Sequence, residues 1–138
     1  MKIFTYSEEE TKLLGKIIGS FIKSQGIKVV ALYGEMGAGK TAFTKGIASS
    51  FGIQEKDIMS SSFVIVSNYE DKNFYHIDLY RLENIEREDI DFWEYFESGT
   101  CVIEWAEKIT ELPDNSLKIN IDIVNEKTRG FTLEVKDV

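Results

Sequence analysis

The spacing of apolar residues predicts two helices in the first third of the chain. In the first, after Ser7, large apolar residues recur at intervals of three and four, which places them on one helix face. The residues of this face are Leu13, Leu14, Ile17, Ile18, Phe21 and Ile22. Ser7 and Glu10 have the spacing of a capping box at its start, and Gly26 is a typical helix end. A second helix is predicted over Lys40–Phe51 and ends at Gly52.

Strands are predicted where apolar residues form short runs or alternate with polar ones. Apolar runs over Ile27–Tyr33 and Thr100–Trp105 are typical of buried strands. Further strands are predicted over Lys2–Tyr6 at a sheet edge, Phe63–Tyr69, Phe74–Tyr80, Leu117–Val124 and Gly130–Val135. The last two form a terminal antiparallel hairpin through Asn125–Arg129, and Glu70–Asn73 is a hairpin turn. The acidic segment Ile85–Glu97 predicts one or two short helices.

A glycine-rich turn connects the strand Ile27–Tyr33 to the second predicted helix. Its sequence GEMGAGKT fits the phosphate-loop pattern G-x-x-x-x-G-K-[ST] and has the strand before it and the helix after it that the pattern requires. Glycines let successive backbone N–H groups form a concave nest for phosphate oxygens. Lys40 can add a positive charge near the β- and γ-phosphates, and the Thr41 hydroxyl can ligate Mg²⁺. The predicted nucleotide-binding residues are Gly34, Glu35, Met36, Gly37, Ala38, Gly39, Lys40, Thr41 and Ala42.

Two carboxylates are predicted at the ends of strands beside this loop. A nucleotide hydrolase needs carboxylates to hold Mg²⁺ and to place the attacking water, and they usually stand at the carboxyl ends of strands. Asp78 follows the run Phe74–Ile77, and Glu104 follows Cys101–Ile103. Either could therefore fill the metal-holding position in catalysis. The alternative is a helix cap or a surface carboxylate at a strand end.

Four further candidates each have a functional and a structural interpretation. His76, the only histidine, alternates with Asp78 along its strand, so it either lines the site or is a structural histidine. Trp105 either shapes the pocket or fills the core. The hydroxyl run Ser60–Ser62 is either a switch that contacts Mg²⁺ or the γ-phosphate, or a solvated loop. Arg81 is either a well-placed cation or part of a surface ion pair.

Length and charge narrow the class of protein. A chain of 138 residues suits one domain over residues 1–138, and no apolar run approaches the roughly 20 residues of a membrane span. The net charge of −8 argues against tight, direct binding of nucleic acid, although an acidic surface can dock on a basic protein. The single cysteine, Cys101, excludes an internal disulfide and a multi-cysteine metal site. We therefore expect a cytoplasmic protein with no membrane contact.

Together these elements predict an α/β fold. We expect a central sheet like that of phosphate-loop NTPases, mostly parallel, with helices on both faces and an antiparallel hairpin at the C-terminal end. The phosphate loop would lie at one edge of this sheet, where ligands bind in open α/β folds.

Four stretches together resemble the TsaE (YjeE) family of small bacterial ATPases. They are GEMGAGKT at the loop, SSSF from Ser60, HIDLYRL from His76 and VIEW from Val102. They follow the family's order at plausible spacing, and the resemblance covers nearly the whole chain. The combination of H-x-D-x-Y-R with E-W after a phosphate loop is specific to that family.

The resemblance implies a role in making threonylcarbamoyladenosine, the modification of the adenosine 3′ of the tRNA anticodon. Family members bind and hydrolyse ATP with Mg²⁺ in association with two partners, TsaB and the transferase TsaD, so tRNA would be met only through that complex. The resemblance also implies that Lys40 and Thr41 hold phosphate and Mg²⁺. Glu104 would then be a metal-site carboxylate, Asp78 a second essential acid and Trp105 a pocket residue.

Two prolines of the family pattern are replaced in this chain. The family's S-P-T-F has Ser61 in place of proline, and its E-W-P has Ala106. Ser62 keeps a hydroxyl where the family has threonine, so a contact with metal or phosphate is retained as a candidate. Losing a proline removes a fixed φ, and we expect a more mobile loop.

Two other functions remain open from the residues alone. A small-molecule kinase needs several cations to manage the transferred phosphate, whereas this chain has only Arg81, Arg87 and Arg129 and no obvious lid. A nucleotide-gated binding module without useful turnover has the same motifs as a slow ATPase. A turnover assay with and without the partner proteins separates these alternatives.

Overall fold

The structure, a computed structural model, describes residues 1–35, 37–58, 66–80 and 91–136 of the chain. The strands in these ranges are β1 Lys2–Thr5, β2 Val29–Tyr33, β3 Val66–Tyr69, β4 Phe74–Asp78, β5 Thr100–Glu104, β6 Leu117–Ile123 and β7 Arg129–Val135. The α-helices are α1 Glu8–Gln25, α2 Lys40–Ser49 and α3 Phe92–Ser98. Short 3₁₀ turns cover Glu55–Asp57, Glu70–Lys72 and Ala106–Lys108.

The seven strands form one mixed sheet in the order β1-β7-β6-β2-β5-β4-β3. The pairs β2–β5, β2–β6 and β4–β5 are parallel, whereas β3–β4, β6–β7 and β1–β7 are antiparallel. The expectation of a mostly parallel sheet therefore holds only for the four central strands. The outer strands differ because two of them belong to hairpins, whose connections are too short for the crossover that a parallel pair needs.

Helices cover both faces of the sheet, as the sequence predicts. Val30 and Leu32 of β2 point into a core cluster shared with α1 and α2. Val29 and Ala31 point the other way, into a second cluster shared with α3. Side chains alternate along a strand, so a strand with helices on both sides needs apolar residues at every position. This requirement explains the continuous apolar run in β2.

Helix α1 has the start and the end that the sequence predicts. The Ser7 side chain accepts a hydrogen bond from Glu10 N at 3.1 Å, and Gly26 closes the helix in the left-handed region with a φ of 69°. In a capping box the Glu10 side chain would accept a hydrogen bond from the backbone N–H of Ser7, but here its partner is a different residue. Glu10 Oε1 accepts from Tyr6 N at 2.8 Å, one residue before the cap.

Only half of the apolar face predicted for α1 is buried. Leu14, Ile18 and Ile22 lie in the core, whereas Leu13, Ile17 and Phe21 are 57%, 56% and 43% exposed. The other buried flank of the helix carries small residues, among them Gly15 and Gly19. The helix is rotated so that this glycine flank, rather than the second row of large apolar residues, faces α2.

Glycines allow α1 and α2 to pack with their backbones in close approach. A Cβ on Gly15 would lie 2.4 Å from Phe43 O, and a Cβ on Gly46 would lie 2.1 Å from Lys12 O. Neither distance is compatible with a side chain. Because α2 begins at the phosphate loop, this contact fixes how the loop is held against α1.

The remaining predicted elements are found with shifted bounds or lie partly outside the described residues. The second helix ends at Ser49, two residues before the prediction, and the chain turns through Gly52 with a φ of 81°. The strand predicted from Phe63 is described only from Val66, and the helical segment predicted from Ile85 only from residue 91. The terminal antiparallel hairpin is confirmed. The assignment of a single domain over residues 1–138 stays a prediction.

No helix within the described ranges is long and apolar enough to cross a membrane.

Candidate functional site

The phosphate-loop sequence joins the carboxyl end of β2 to the first turn of α2. Gly37 and Gly39 have φ values of 83° and 101°, which side chains with a Cβ rarely adopt. Asp78 and Glu104 end the parallel strands β4 and β5 and are register partners. Glu104 is also level with Leu32 of β2, just before the loop. The two predicted acids therefore lie at the same edge of the sheet as the loop.

A cavity of about 770 Å³ opens at this edge. Its walls come from the loop, the ends of β4 and β5, the first turn of α1 and the β6–β7 turn. The predicted site residues that line it are Gly37, Ala38, Gly39, Lys40, Thr41, Ala42, Asp78, Glu104 and Trp105. Gly34, Glu35 and His76 instead contact lining residues. Met36, Ser62 and Arg81 lie outside the described residues, and the roles predicted for them stay predictions.

Lys40 is turned onto its own loop. Its Nζ donates to the carbonyl oxygens of Gly34 and, at 2.9 Å, Glu35. The same Nζ lies 3.9 Å from the centroid of the Trp105 ring, which is a cation–π distance. The ammonium group therefore has neutral partners on both sides. Phosphate oxygens would offer it stronger, charged acceptors.

The charged groups of the site are buried together. Lys40, Asp78 and Glu104 are 5%, 7% and 2% exposed. Burial lowers the pKa of the Lys40 ammonium, while the nearby Glu107, Glu104 and Asp78 act in the opposite direction. Burial also raises the pKa of Asp78, and the neighbouring charge of Glu104 raises it further. The site thus holds two crowded acids, and a cation placed between them would stabilise their charged forms.

Glu104 is bonded through both carboxylate oxygens. Oε1 accepts from Thr41 Oγ1 at 3.0 Å, and Oε2 accepts from Thr44 Oγ1 at 3.3 Å. His76 Nε2 lies 2.5 Å from Oε2. The carboxylate therefore connects β5 to two hydroxyls of α2 and to the histidine of β4. These contacts do not fit the alternative of a surface carboxylate or a helix cap, and they place His76 behind the cavity as a partner of Glu104.

Asp78 and Trp105 line the cavity beside Glu104. Asp78 Oδ1 accepts from Tyr80 N at 3.1 Å, which orients the carboxylate. Trp105 has a φ of 60°, in the left-handed region that residues other than glycine seldom enter, and this turn aims its ring across Lys40. The Trp105 and Tyr80 rings are 5.1 Å apart, centroid to centroid. Trp105 is therefore a pocket residue in its position, in addition to packing against the core.

The sequence analysis did not predict three residues whose side chains are bonded to the loop or to Glu104. Thr44 reaches Glu104 from the second turn of α2. Glu107 Oε2 accepts from Gly34 N at 2.9 Å, and Arg129 Nη2 donates to Gly37 O at 3.1 Å. Thr44 lies one helical turn beyond the loop, so its spacing was a usable signal. Glu107 and Arg129 offered none, because their contacts depend on how distant segments meet.

Two oxygen atoms at the loop have the spacing expected of Mg²⁺ ligands. Thr41 Oγ1 and Glu104 Oε1 are 3.0 Å apart. Two neighbouring ligands of an octahedral Mg²⁺, each at about 2.0–2.1 Å, would be about 2.9 Å apart. The described part of the chain contains no group of three or more His, Cys, Asp or Glu that could hold a metal. This is compatible with Mg²⁺ at a nucleotide, which takes one or two protein oxygens beside phosphates and water.

The protein is a mixed α/β protein built around a phosphate-loop sequence. Its site consists of a buried strand, a glycine-rich loop and a helix, with two strand-end acids beside the loop lysine. The family model described as "Threonylcarbamoyl adenosine biosynthesis protein TsaE" matches residues 5–131. The chain belongs to this TsaE family, which confirms the resemblance that its motifs indicate.

Relatives from distant bacteria match over nearly the whole chain. The tRNA threonylcarbamoyladenosine biosynthesis protein TsaE of Bacillus subtilis is 40% identical over 136 residues, covering 96% of this chain and 84% of the relative. The protein of the same name from Treponema pallidum is 33% identical, covering 96% and 99%. The crystal structure of Bacillus subtilis YdiB is similar with a TM-score of 0.75 and 34% identity, covering 98% of this chain and 84% of that one.

Proposed function

We propose that this chain binds and hydrolyses ATP with Mg²⁺, and that this activity is required for the threonylcarbamoyladenosine modification of tRNA. Its membership of the TsaE family and the names of its relatives support the pathway. The observation that carries the proposed chemistry is the pairing of Thr41 with Glu104 beside Lys40 in one cavity.

Each side chain of the site has a task in this proposal. Lys40 exchanges its carbonyl partners for phosphate oxygens when the nucleotide binds. Thr41 Oγ1 and the Glu104 carboxylate would hold Mg²⁺, which would supply positive charge beside the phosphates. Asp78 orients the attacking water and accepts a proton from it, a task that suits a carboxylate whose pKa is raised. His76 and Thr44 hold Glu104 in place from behind.

The proposal includes TsaB and TsaD as protein partners in the cytoplasm. The net charge of −8 supports a route in which tRNA is met through those partners rather than by this chain alone.

The test is a turnover assay on the purified chain, with and without TsaB and TsaD from the same organism. We expect Mg²⁺-dependent release of phosphate that rises when both partners are added. With tRNA and an activated threonylcarbamoyl donor supplied throughout, we expect modified tRNA only when all three proteins and ATP are present. Omitting Mg²⁺ or supplying an ATP analogue that cannot be hydrolysed is the control.

Other outcomes would identify the alternatives. ATP binding that supports tRNA modification without phosphate release would indicate a nucleotide-gated binding module. Transfer of the γ-phosphate to a small molecule rather than to water would indicate a kinase. Full tRNA modification in the absence of this chain would contradict the proposal.

A further inference from the structure

Arg129 joins the β6–β7 turn to the phosphate loop, across 92 positions of sequence. Its Nη2 donates to Gly37 O at 3.1 Å. Its Nη1 is within hydrogen-bonding distance of the carbonyl oxygens of Asn125, Glu126 and Thr128, at 2.8, 3.3 and 3.1 Å. We propose that Arg129 is a positioning residue that sets the phosphate loop for binding through the Gly37 carbonyl. This inference rests on the proposed binding of nucleotide phosphates in the loop.

The guanidinium group is suited to this bridge because its donors point in fixed directions. One nitrogen is held by the carbonyls of the turn, and the other faces the loop. The turn itself is ordered by the Asn125 side chain, which accepts from Lys127 N and Thr128 N at 3.2 and 3.0 Å. Arg129 is therefore a fixed arm rather than a freely moving side chain. A lysine has a single nitrogen and could not serve both sides with this geometry.

The bridge holds the carbonyl side of the peptide group between Gly37 and Ala38. Gly37 has a φ of 83°, and a Cβ built on it would meet no atom within 4 Å. In a planar trans peptide, the Gly37 C=O and the Ala38 N–H point in opposite directions. The Ala38 N–H donates to Glu35 O at 3.1 Å, the same carbonyl that accepts from Lys40. By holding the carbonyl, Arg129 keeps this N–H turned toward the Glu35 carbonyl, on the side of the loop where the Lys40 ammonium lies.

Inward-pointing N–H groups are what a phosphate loop offers to its ligand. Without Arg129, the glycine peptide could rotate, and the nucleotide would have to order the loop as it binds. That ordering costs free energy for any ligand that places a phosphate in the loop. The loss should therefore be similar for ADP and ATP, which distinguishes an arm that holds the loop from a side chain that contacts the γ-phosphate.

The test uses Arg129→Gln, which removes the charge, and Arg129→Lys, which keeps the charge but has only one nitrogen in place of the two that Arg129 uses. Lys2→Gln is the matched control. Lys2 is a half-exposed cation on β1 whose Nζ lies 3.6 Å from Asp122 Oδ2, and neither residue lines the cavity. Calorimetry measures the affinity of each protein for ADP and for ATP with Mg²⁺. We expect both Arg129 variants to bind both nucleotides roughly tenfold more weakly. Lys2→Gln should bind them normally.

A second readout follows the loop itself, without nucleotide. In ¹⁵N-resolved NMR spectra, both Arg129 variants should shift or broaden the backbone amides of Gly37 and Ala38, and Lys2→Gln should leave them unchanged. Thermal melts of the two Arg129 variants should stay close to that of the unmodified protein. A purely structural role of Arg129 would lower the melting temperature and would not single out these two amides.

Several results would overturn the inference about Arg129, and a further result would contradict the proposed function instead. Normal affinity in both Arg129 variants, a loss for ATP but not for ADP, full rescue by Arg129→Lys, or unfolding of both variants would each contradict it. Lys40→Ala is the reference for the proposed function. If Lys40→Ala and the unmodified protein bind nucleotide equally well, the proposed function fails, while the loop amides still report on the Arg129 bridge.

Discussion

Glu104 shows how one buried side chain organises the site. It ends β5, accepts hydrogen bonds from Thr41 and Thr44 on α2, and contacts His76 on β4. An ionised carboxylate at 2% exposure would be strongly destabilising without such partners. The Thr41 hydroxyl and the contact with His76 therefore make a buried charge tolerable next to the phosphate loop, where Thr41 and Glu104 both line the cavity.

At the residue scale, the two acids should act in turnover rather than in folding. Asp78→Asn and Glu104→Gln keep the shape of the side chain and remove its charge. We expect partner-stimulated ATP turnover to fall by roughly 10²- to 10³-fold in each, with the larger loss for Glu104→Gln because it contacts the loop threonine. ATP affinity should change less, since the loop still holds the phosphates. Turnover and calorimetry on the same preparations measure both effects.

Thermal melts provide the control for these variants. Burial and the neighbouring charge of Glu104 destabilise the charged form of Asp78 in the folded protein, which is why its pKa is raised. This cost is absent below the ordinary pKa of an aspartate and complete above the raised one. Asp78→Asn should therefore melt at a higher temperature than the unmodified protein near neutral pH, and the difference should shrink toward acidic pH. Near-normal turnover in both variants would refute the assignment.

The site was predictable from sequence only where chemistry follows a local pattern. Lys40 and Thr41 belong to a motif, and Asp78 and Glu104 each follow an apolar run that ends at the sheet edge. Glu107 reaches Gly34 across 73 positions and Arg129 reaches Gly37 across 92. Such contacts depend on the order of strands and on turn geometry, which no short spacing encodes.

At the scale of elements, the strands and helices were more predictable than their arrangement. Apolar runs identified β2 and β5, and the caps identified both ends of α1. The pairing of β1 with β7 was not predictable, because it joins opposite ends of the chain. The orientation of α1 also differed from the apolar pattern, since Gly15 determines which flank faces α2. Close backbone packing overrode the burial of Leu13 and its neighbours.

The close packing of α1 and α2 predicts that Gly46→Ala destabilises the protein. Alanine favours a helix over glycine by about 1 kcal/mol. However, its Cβ would lie 2.1 Å from Lys12 O and 2.9 Å from Gly15 Cα, so the helices must separate. Overpacking of this kind typically costs about 1–3 kcal/mol. We expect a lower midpoint in urea unfolding, with Ser20→Ala at an exposed position of α1 as the control. A raised midpoint in Gly46→Ala would contradict the packing argument.

At the scale of the whole molecule, the net charge distinguishes direct binding of tRNA from contact with tRNA through partner proteins. The chain carries 16 basic and 24 acidic residues. Affinity for RNA comes largely from cations that neutralise phosphates, and this chain offers a net charge of the wrong sign. Within the described ranges, the cavity is lined by three basic residues and five acidic ones, and it is shaped around the loop rather than along an extended strip.

We therefore expect the isolated chain to bind tRNA weakly or not at all at physiological salt. A gel-shift titration with the pure protein measures this, and the same titration with TsaB and TsaD present tests whether the complex supplies the missing contacts. Submicromolar binding by the chain alone would show that net charge is a poor guide here.

The glycine contact between α1 and α2 also has a mechanical consequence. A helix contact with no room for a methyl group leaves the two helices little freedom to slide or separate, so we expect them to move as one rigid unit. In this unit, α2 begins at the phosphate loop, and the outer side of α1 exposes Leu13, Ile17 and Phe21. A rotation of α2 that started at the loop would therefore be expected to move that outer surface as well.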